Sequence, residues 1–299
     1  MLLITIWPLF AMIGLGFVLA RRGFPSDAFW PAAERFNYAL LFPALLVVSL
    51  ADAPLRDPAL LQLGAAAVTI ILIASAALWL FRRVVPMPAA RFGPMLQGTV
   101  RFNTYLGLAL IALLAGQNGL ERAAVYLAIA VPLVNVLSIL ALTDRAAPLT
   151  ILRAILLNPL IIACVVGFAL ALTGIGLPYG TDSFLGLIGQ ASLPLGLLSV
   201  GAALKLSALR AEFGALAGIG VVRLLAMPAL AALIGILFGL GGTEALVLVI
   251  FSAIPTAPTA YVLTRQLGGD GALMAGIVTS QTIVAAISIP LVILVFGAL

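Results

Sequence analysis

Two stretches, QGTVRFNTYLG at residues 97–107 and VIFSAIPTAPT at 249–259, decide how this chain is read. Each lies midway along an apolar run long enough to cross a bilayer. Each interrupts that run with residues that a plain lipid-facing helix avoids. The first brings Arg101, Asn103, Thr104 and Tyr105; the second brings Pro255, Thr256, Pro258 and Thr259. In hydrocarbon, irregular backbone survives only where protein or a water-filled cavity supplies its hydrogen bonds. Two interruptions at matching places of two halves point to a transporter's binding site.

The composition around them is that of an integral membrane protein. Of 299 residues, 64% are hydrophobic and only 8% charged, with a mean hydropathy of +1.28. A soluble domain carries about 25% charge. The net charge of +5 is spread over short loops with no aromatic-basic patch, so no nucleic-acid partner is expected. Cys164 is the one cysteine, inside an apolar run, which excludes an intrachain disulfide and reads as packing. With no histidine, imidazole metal sites and His-based triads are excluded. No cofactor and no enzyme activity are expected.

Ten apolar runs lie at about 2–20, 31–51, 59–81, 91–115, 122–143, 151–173, 183–205, 213–239, 244–265 and 271–298, each near the ~20 residues that a bilayer requires. The first has no charged segment before it and is followed by Arg21 and Arg22, the reverse of a signal peptide, so it reads as a retained span. Loops after spans 1, 3, 5, 7 and 9 carry Arg21, Arg22, Arg82, Arg83, Arg91, Arg145, Arg153, Lys205, Arg210 and Arg265. The other side offers Arg56 and Arg122. The positive-inside rule then places both termini outside the cytoplasm.

The chain repeats itself. IWPLFAMIGLGFVLA (6–20) falls on LNPLIIACVVGFALA (157–171), with Pro8 on Pro159, Gly16 on Gly167 and Phe17 on Phe168, all at a spacing of 151. Pro43 falls on Pro194 at the same spacing. One residue later in register, Asn103 falls on Pro255 and Thr104 on Thr256. Five spans is an odd number, so a second copy must sit upside down. The expectation is an all-α polytopic protein of ten transmembrane helices, a 5+5 inverted repeat (1–150 and 151–299) with spans 4 and 9 broken and crossing at mid-membrane.

Breaks of that kind make an anion site. Asn103 or Thr104 can cap one half-helix; Thr256 can cap the other, with Pro258 in its first turn. Each N-terminus presents free N–H groups and about half a positive charge. Arg101 adds a full charge, unless it snorkels to the headgroups. Arg223 lies at similar depth and reads either as a second charge for the ligand or as structural pairing. No acidic residue sits at comparable depth, which favours a carboxylate substrate over a cation. Asn37 precedes Pro43, and Gln190 precedes Pro194, at corresponding places of the repeat. They read as facing the same cavity or as interhelical hydrogen bonds. Thr279 and Gln281 are candidates for a coupling-ion site. Glu34 and Arg35 read as a gate or an interfacial ion pair, and Gly268-Gly269-Asp270 as a turn.

The segments FNYALLFPALL (36–46), RFNTYLGLAL (101–110), LLNPLIIA (156–163), LPLGLLSVGAAL (193–204) and IPTAPTAYVLTRQLGGD (254–270), in this order over ten spans, resemble the auxin efflux carrier family in its short bacterial form, which includes malonate and malate permeases. The resemblance implies a fold similar to that of bile acid:sodium symporters. Spans 1, 2, 6 and 7 would form a scaffold, and spans 3–5 and 8–10 a core carrying the crossover. Asn103 matches the family's crossover asparagine and Pro255 its crossover proline. Plant members have Pro-Asn where this chain has Phe102-Asn103, and a long hydrophilic loop where it has only 144–150; auxin itself is therefore not expected as substrate.

The resulting expectation is a secondary transporter for a small organic acid anion in a bacterial inner membrane. The bilayer would be its surroundings, a homodimer through the scaffold its assembly, and Na+ or H+ its coupling ion if it has one. The alternative is a sodium-coupled symporter of the bile acid type for a larger amphipathic acid.

Overall fold

The computed structural model describes residues 2–51, 53, 57–143, 152, 153, 156–210 and 212–296. The 144–150 link and the loop residues Arg56 and Arg145 lie outside the described residues. All regular structure among the described residues is helical. Seven stretches are long and apolar enough to cross a membrane: 3–21, 29–51, 58–84, 89–142, 181–202, 213–237 and 271–296.

The 54-residue stretch Ala89–Leu142 cannot be one crossing. At 1.5 Å per residue it would extend about 80 Å, against a hydrocarbon core of ~30 Å. The backbone divides it twice. Helix α5 (Ala89–Val100) ends at Arg101, and α6 (Thr104–Leu142) starts after Asn103. Within α6, Gly116 has φ 60° and ψ −149°, a conformation open to glycine because it lacks Cβ. Taking 89–115 and 117–142 as one stretch each, two shorter apolar helices, α7 (Pro159–Thr173) and α12 (Gly242–Ala253), bring the apolar helical stretches among the described residues to ten. After α12 the helical backbone stops over 254–258 and resumes as α13 (Thr259–Gln266).

Two other stretches stay helical but change pitch. Between α2 (Phe29–Phe36) and α3 (Phe42–Ala51) lies a π-helical turn, Asn37–Leu41. A second, Val222–Ala226, joins α10 (Phe213–Val221) to α11 (Met227–Leu237). Each is followed two residues later by proline, Pro43 and Pro228. A proline lacks an N–H and crowds the carbonyl four residues back, and the wider turn accommodates both.

Close backbone approach sets the packing of the first helix. A Cβ on Gly16 of α1 (Leu2–Arg21) would collide with the carbonyl of Leu198, and one on Gly201 with the carbonyl of Ile13. Small residues are what allow α1 and α9 (Ser192–Ala202) to touch main chain to main chain. Likewise a Cβ on Gly167 of α7 would sit 2.6 Å from Cβ of Leu50 and 3.4 Å from the carbonyl oxygen of Val47. At the end of the chain, Asp270 starts α14 (Gly271–Phe296). Its carboxylate accepts from the N–H of Leu273 at 2.9 Å, and its own N–H donates to Ala90 O at 2.8 Å. Among the described residues no ion pair joins Glu34 to Arg35, so the interfacial pairing expected for them is not formed.

Candidate functional site

Residues 101–103 and 254–258 meet in space. The N–H of Asn103 donates to the carbonyl of Pro255 at 2.9 Å. Asn103 then caps α6, its Oδ1 accepting from the N–H of Leu106 at 3.3 Å, as an asparagine at a helix start commonly does. Thr104 does not cap; it is the first helical residue. The second interruption departs from expectation. Pro258 occupies the N-cap position of α13 without a side-chain cap. Thr256 does not cap it either. Its hydroxyl lies 2.7 Å from Gln281 Oε1 and 3.1 Å from Gly98 O.

Gln281 and Arg223 hold the interrupted backbone together. Gln281 Oε1 also accepts from the N–H of Thr256 at 2.9 Å, while its Nε2 donates to Gly98 O at 2.8 Å. One side chain thus satisfies groups from both interruptions, which in a low-dielectric interior are costly to leave unpaired. Arg223 is 1% exposed. Its Nε donates to Ile254 O at 2.7 Å, Nη1 to Thr99 O at 3.0 Å and Nη2 to Phe251 O at 2.7 Å. These carbonyls belong to the C-terminal ends of α5 and α12, where helix dipoles concentrate negative charge. The charge of Arg223 is therefore answered by two helix ends, without a carboxylate. Phe102, where a proline was the comparison, turns into an aromatic cluster with Phe251 (centroids 5.5 Å) and Tyr126 (5.7 Å).

Beside the meeting point lies a narrow cleft of about 40 Å³. Arg101, Asn103, Thr104, Tyr105, Pro258 and Thr259 line it. So do Tyr38 and Asn135, with Val131, Val134 and Leu160 as apolar wall. Arg101 Nη2 donates to Thr259 Oγ1 at 3.4 Å, a long bond. Three further polar atoms there are buried and have no partner among the described residues: Arg101 Nη1, Asn103 Nδ2 and the Tyr105 hydroxyl. All three can donate, and a guanidinium and two neutral donors around one space suit a carboxylate.

Other sequence candidates lie elsewhere. Pro255 and Thr256 are buried behind the cleft in the backbone junction. Asn37 is fully buried and paired with Ser192: its Nδ2 donates to Ser192 O at 3.0 Å, and Ser192 Oγ donates to its Oδ1 at 2.8 Å. Gln190 is exposed. Thr279 Oγ1 accepts from the N–H of Lys205 at 3.0 Å. None of these, nor Arg223 or Gln281, lines the cleft.

Tyr38 went unmarked as a site residue in the sequence. It follows Asn37 in the π-helical turn, where the wider pitch lets Asn37 bury itself while Tyr38 reaches the cleft and donates to Asn158 Oδ1 at 3.2 Å. A tyrosine in an apolar run carries no signal that separates these outcomes. Gln97 was equally unmarked; its Nε2 donates to Thr264 Oγ1 at 2.9 Å and ties α5 to α13.

An all-helical, multi-pass chain with a cleft beside interrupted helices, lined by residues whose buried donors have no partner among the described residues, has the build of a membrane transport protein. The family comparison agrees: residues 1–293 match the model of the membrane transport protein family, and the chain belongs to that family, which holds the auxin efflux carriers. It is accordingly a transporter and not an enzyme. No curated protein matches the chain.

Proposed function

We propose that the protein is a secondary active transporter for a small organic acid anion, working by alternating access around the cleft at Arg101. The observation that carries this reading is the set of three buried donors without partners, Arg101 Nη1, Asn103 Nδ2 and the Tyr105 hydroxyl, on one cleft. A single guanidinium fits one carboxylate, and the apolar walls fit the carbon skeleton attached to it. Thr104 and Thr259 border the same space, while Pro255, Thr256 and Pro258 frame it.

The inverted repeat belongs to this proposal. Gly16 approaches the carbonyl of Leu198, and Gly167 approaches that of Val47. Both members of the second pair lie at the repeat spacing of 151 from members of the first. Corresponding residues thus make corresponding contacts, as two halves (1–150 and 151–299) related by a pseudo-two-fold axis would. In that arrangement the interruptions are mid-membrane breaks of spans 4 and 9, which cross there.

The cleft draws on both groups of spans. Tyr38 and Leu160 come from spans 2 and 6, the scaffold side, and the other lining residues from spans 4, 5 and 9, the core side. The ring of Tyr105 packs on Phe42 (centroids 5.2 Å) and against Gly196, where a Cβ would lie 2.5 Å from the ring. A site on the boundary between two bodies changes its exposure when one moves against the other.

Uptake of labelled malonate, malate and an aromatic monocarboxylate into proteoliposomes tests the reading. Each is measured with and without a sodium or proton gradient, beside Arg101→Gln. Uptake of one acid that Arg101→Gln abolishes in a folded protein is expected; uptake indifferent to that substitution overturns the site. Dependence on sodium with preference for a large amphipathic acid would favour the bile acid type of symporter instead.

A further inference from the structure

We infer that the groove between α10 and α14 binds one acyl chain of an anionic phospholipid, with the headgroup on Arg210. The groove is a second cavity, apart from the cleft, with about 1030 Å³ of open space. It is bordered by Phe213, Ala217, Gly220 and Leu225 on one side and by Ile283 and Val284 on the other.

Its lining is mostly hydrocarbon, with Ser280, whose hydroxyl donates to Ile277 O at 3.2 Å, and Ser288 among it. Gln281 also lines it, but the amide of Gln281 is turned away to Thr256 and Gly98, which leaves its methylenes toward the groove. Gly220 supplies width: a Cβ there would meet nothing within 4 Å. The helices on either side are long and apolar enough to cross the membrane, and Phe213, Val221, Leu225 and Val284 are exposed where lipid would surround them.

Length and charge choose the occupant. From Phe213 to Leu225 the groove wall extends about 18 Å at 1.5 Å per residue, close to the ~15 Å depth of one leaflet. Its upper end joins the 3-10 turn Leu206–Arg210, of which Leu209 lines the groove and Arg210 is exposed. Arg91 at this end is engaged with Glu212, and Lys205 with the Tyr261 hydroxyl at 3.0 Å. Arg210 forms no ion pair among the described residues, and a phosphate at headgroup level answers it. A protein helix would fill the groove by shape, but it answers Arg210 only if it carries an acidic residue at that end, whereas every anionic phospholipid brings a phosphate there.

The test reads lipid contact, not transport, so its failure is separable from failure of the transport reading. The protein is placed in nanodiscs of phosphatidylcholine containing a small fraction of phosphatidylglycerol that carries a photoreactive diazirine on its acyl chain. Labelled peptides are then mapped by mass spectrometry. Expected is saturable labelling concentrated on residues 213–225 and 280–288. Gly220→Phe, which fills the groove, should abolish it there, and Arg210→Gln should reduce the preference over labelled phosphatidylcholine about fivefold. Labelling spread evenly around the perimeter and unchanged by Gly220→Phe would overturn the inference. So would cross-linking of Ala217→Cys between two copies of the chain, which would show protein on this face.

Discussion

The N–H of Asn103 donates to the carbonyl of Pro255 at 2.9 Å, joining two interruptions that lie half the chain apart. Each would otherwise leave buried backbone groups unpaired. Joined this way, and held by Gln281 and Arg223, they sit beside the cleft that Arg101, Asn103 and Tyr105 line.

Asn103 caps α6 and, in the proposed function, donates to the anion; one substitution separates the two. Asn103→Asp keeps a capping oxygen for Leu106 and removes the amide donor. An ionised carboxylate at this buried position should lower thermal stability moderately, while anion affinity falls at least about tenfold, since a charge-assisted hydrogen bond becomes a repulsion. Unchanged anion affinity in a folded Asn103→Asp would show that the Nδ2 group does not contact the anion.

Among the described residues Arg101 makes one hydrogen bond, the long one to Thr259, and should be dispensable for folding. Arg101→Gln is expected to unfold at nearly the wild-type temperature and to bind the anion about tenfold or more weakly, by the loss of a charged hydrogen bond. Thermal-shift titration with the transported acid measures both in one experiment.

Arg223 should behave in the opposite way. Arg223→Met leaves the carbonyls of Thr99, Phe251 and Ile254 buried without their donor, at a cost of about 3–5 kcal/mol. Arg223→Lys should recover little, because one ammonium cannot span three carbonyls as a guanidinium does. Unfolding in detergent with no ligand present is the readout. Full stability of Arg223→Lys would contradict the clamp.

The contact of α1 with α9 makes a paired prediction. Gly16→Ala pushes a methyl into the carbonyl of Leu198 and should cost about 1–3 kcal/mol. Gly14, two residues earlier, has open space, so Gly14→Ala should be neutral or slightly stabilising through helix propensity. Equal effects of the two would show that α1 does not pack as described.

Much of the architecture was legible in the sequence because its causes are local. Runs of apolar residues near bilayer length announce membrane helices wherever they fall. Asn103 and the Pro255–Pro258 segment announce places where helical hydrogen bonding stops, because a capping side chain or a missing N–H acts on its own neighbours. The fate of the polar side chains was not legible in this way. Arg101 and Arg223 sit at similar depths in equally apolar runs, yet one faces the cleft and the other is spent on three carbonyls. Asn37 and Tyr38 are adjacent, yet one pairs with Ser192 and the other lines the cleft.

By itself, then, the sequence determined the membrane class, the family and the positions of the interruptions, since hydropathy and backbone chemistry are properties of short segments. Only the tertiary structure decided which polar groups are left without partners. That depends on how each helix is rotated about its axis and which carbonyl from a distant part of the chain lies within 3 Å of it, and neither quantity is encoded in any one segment.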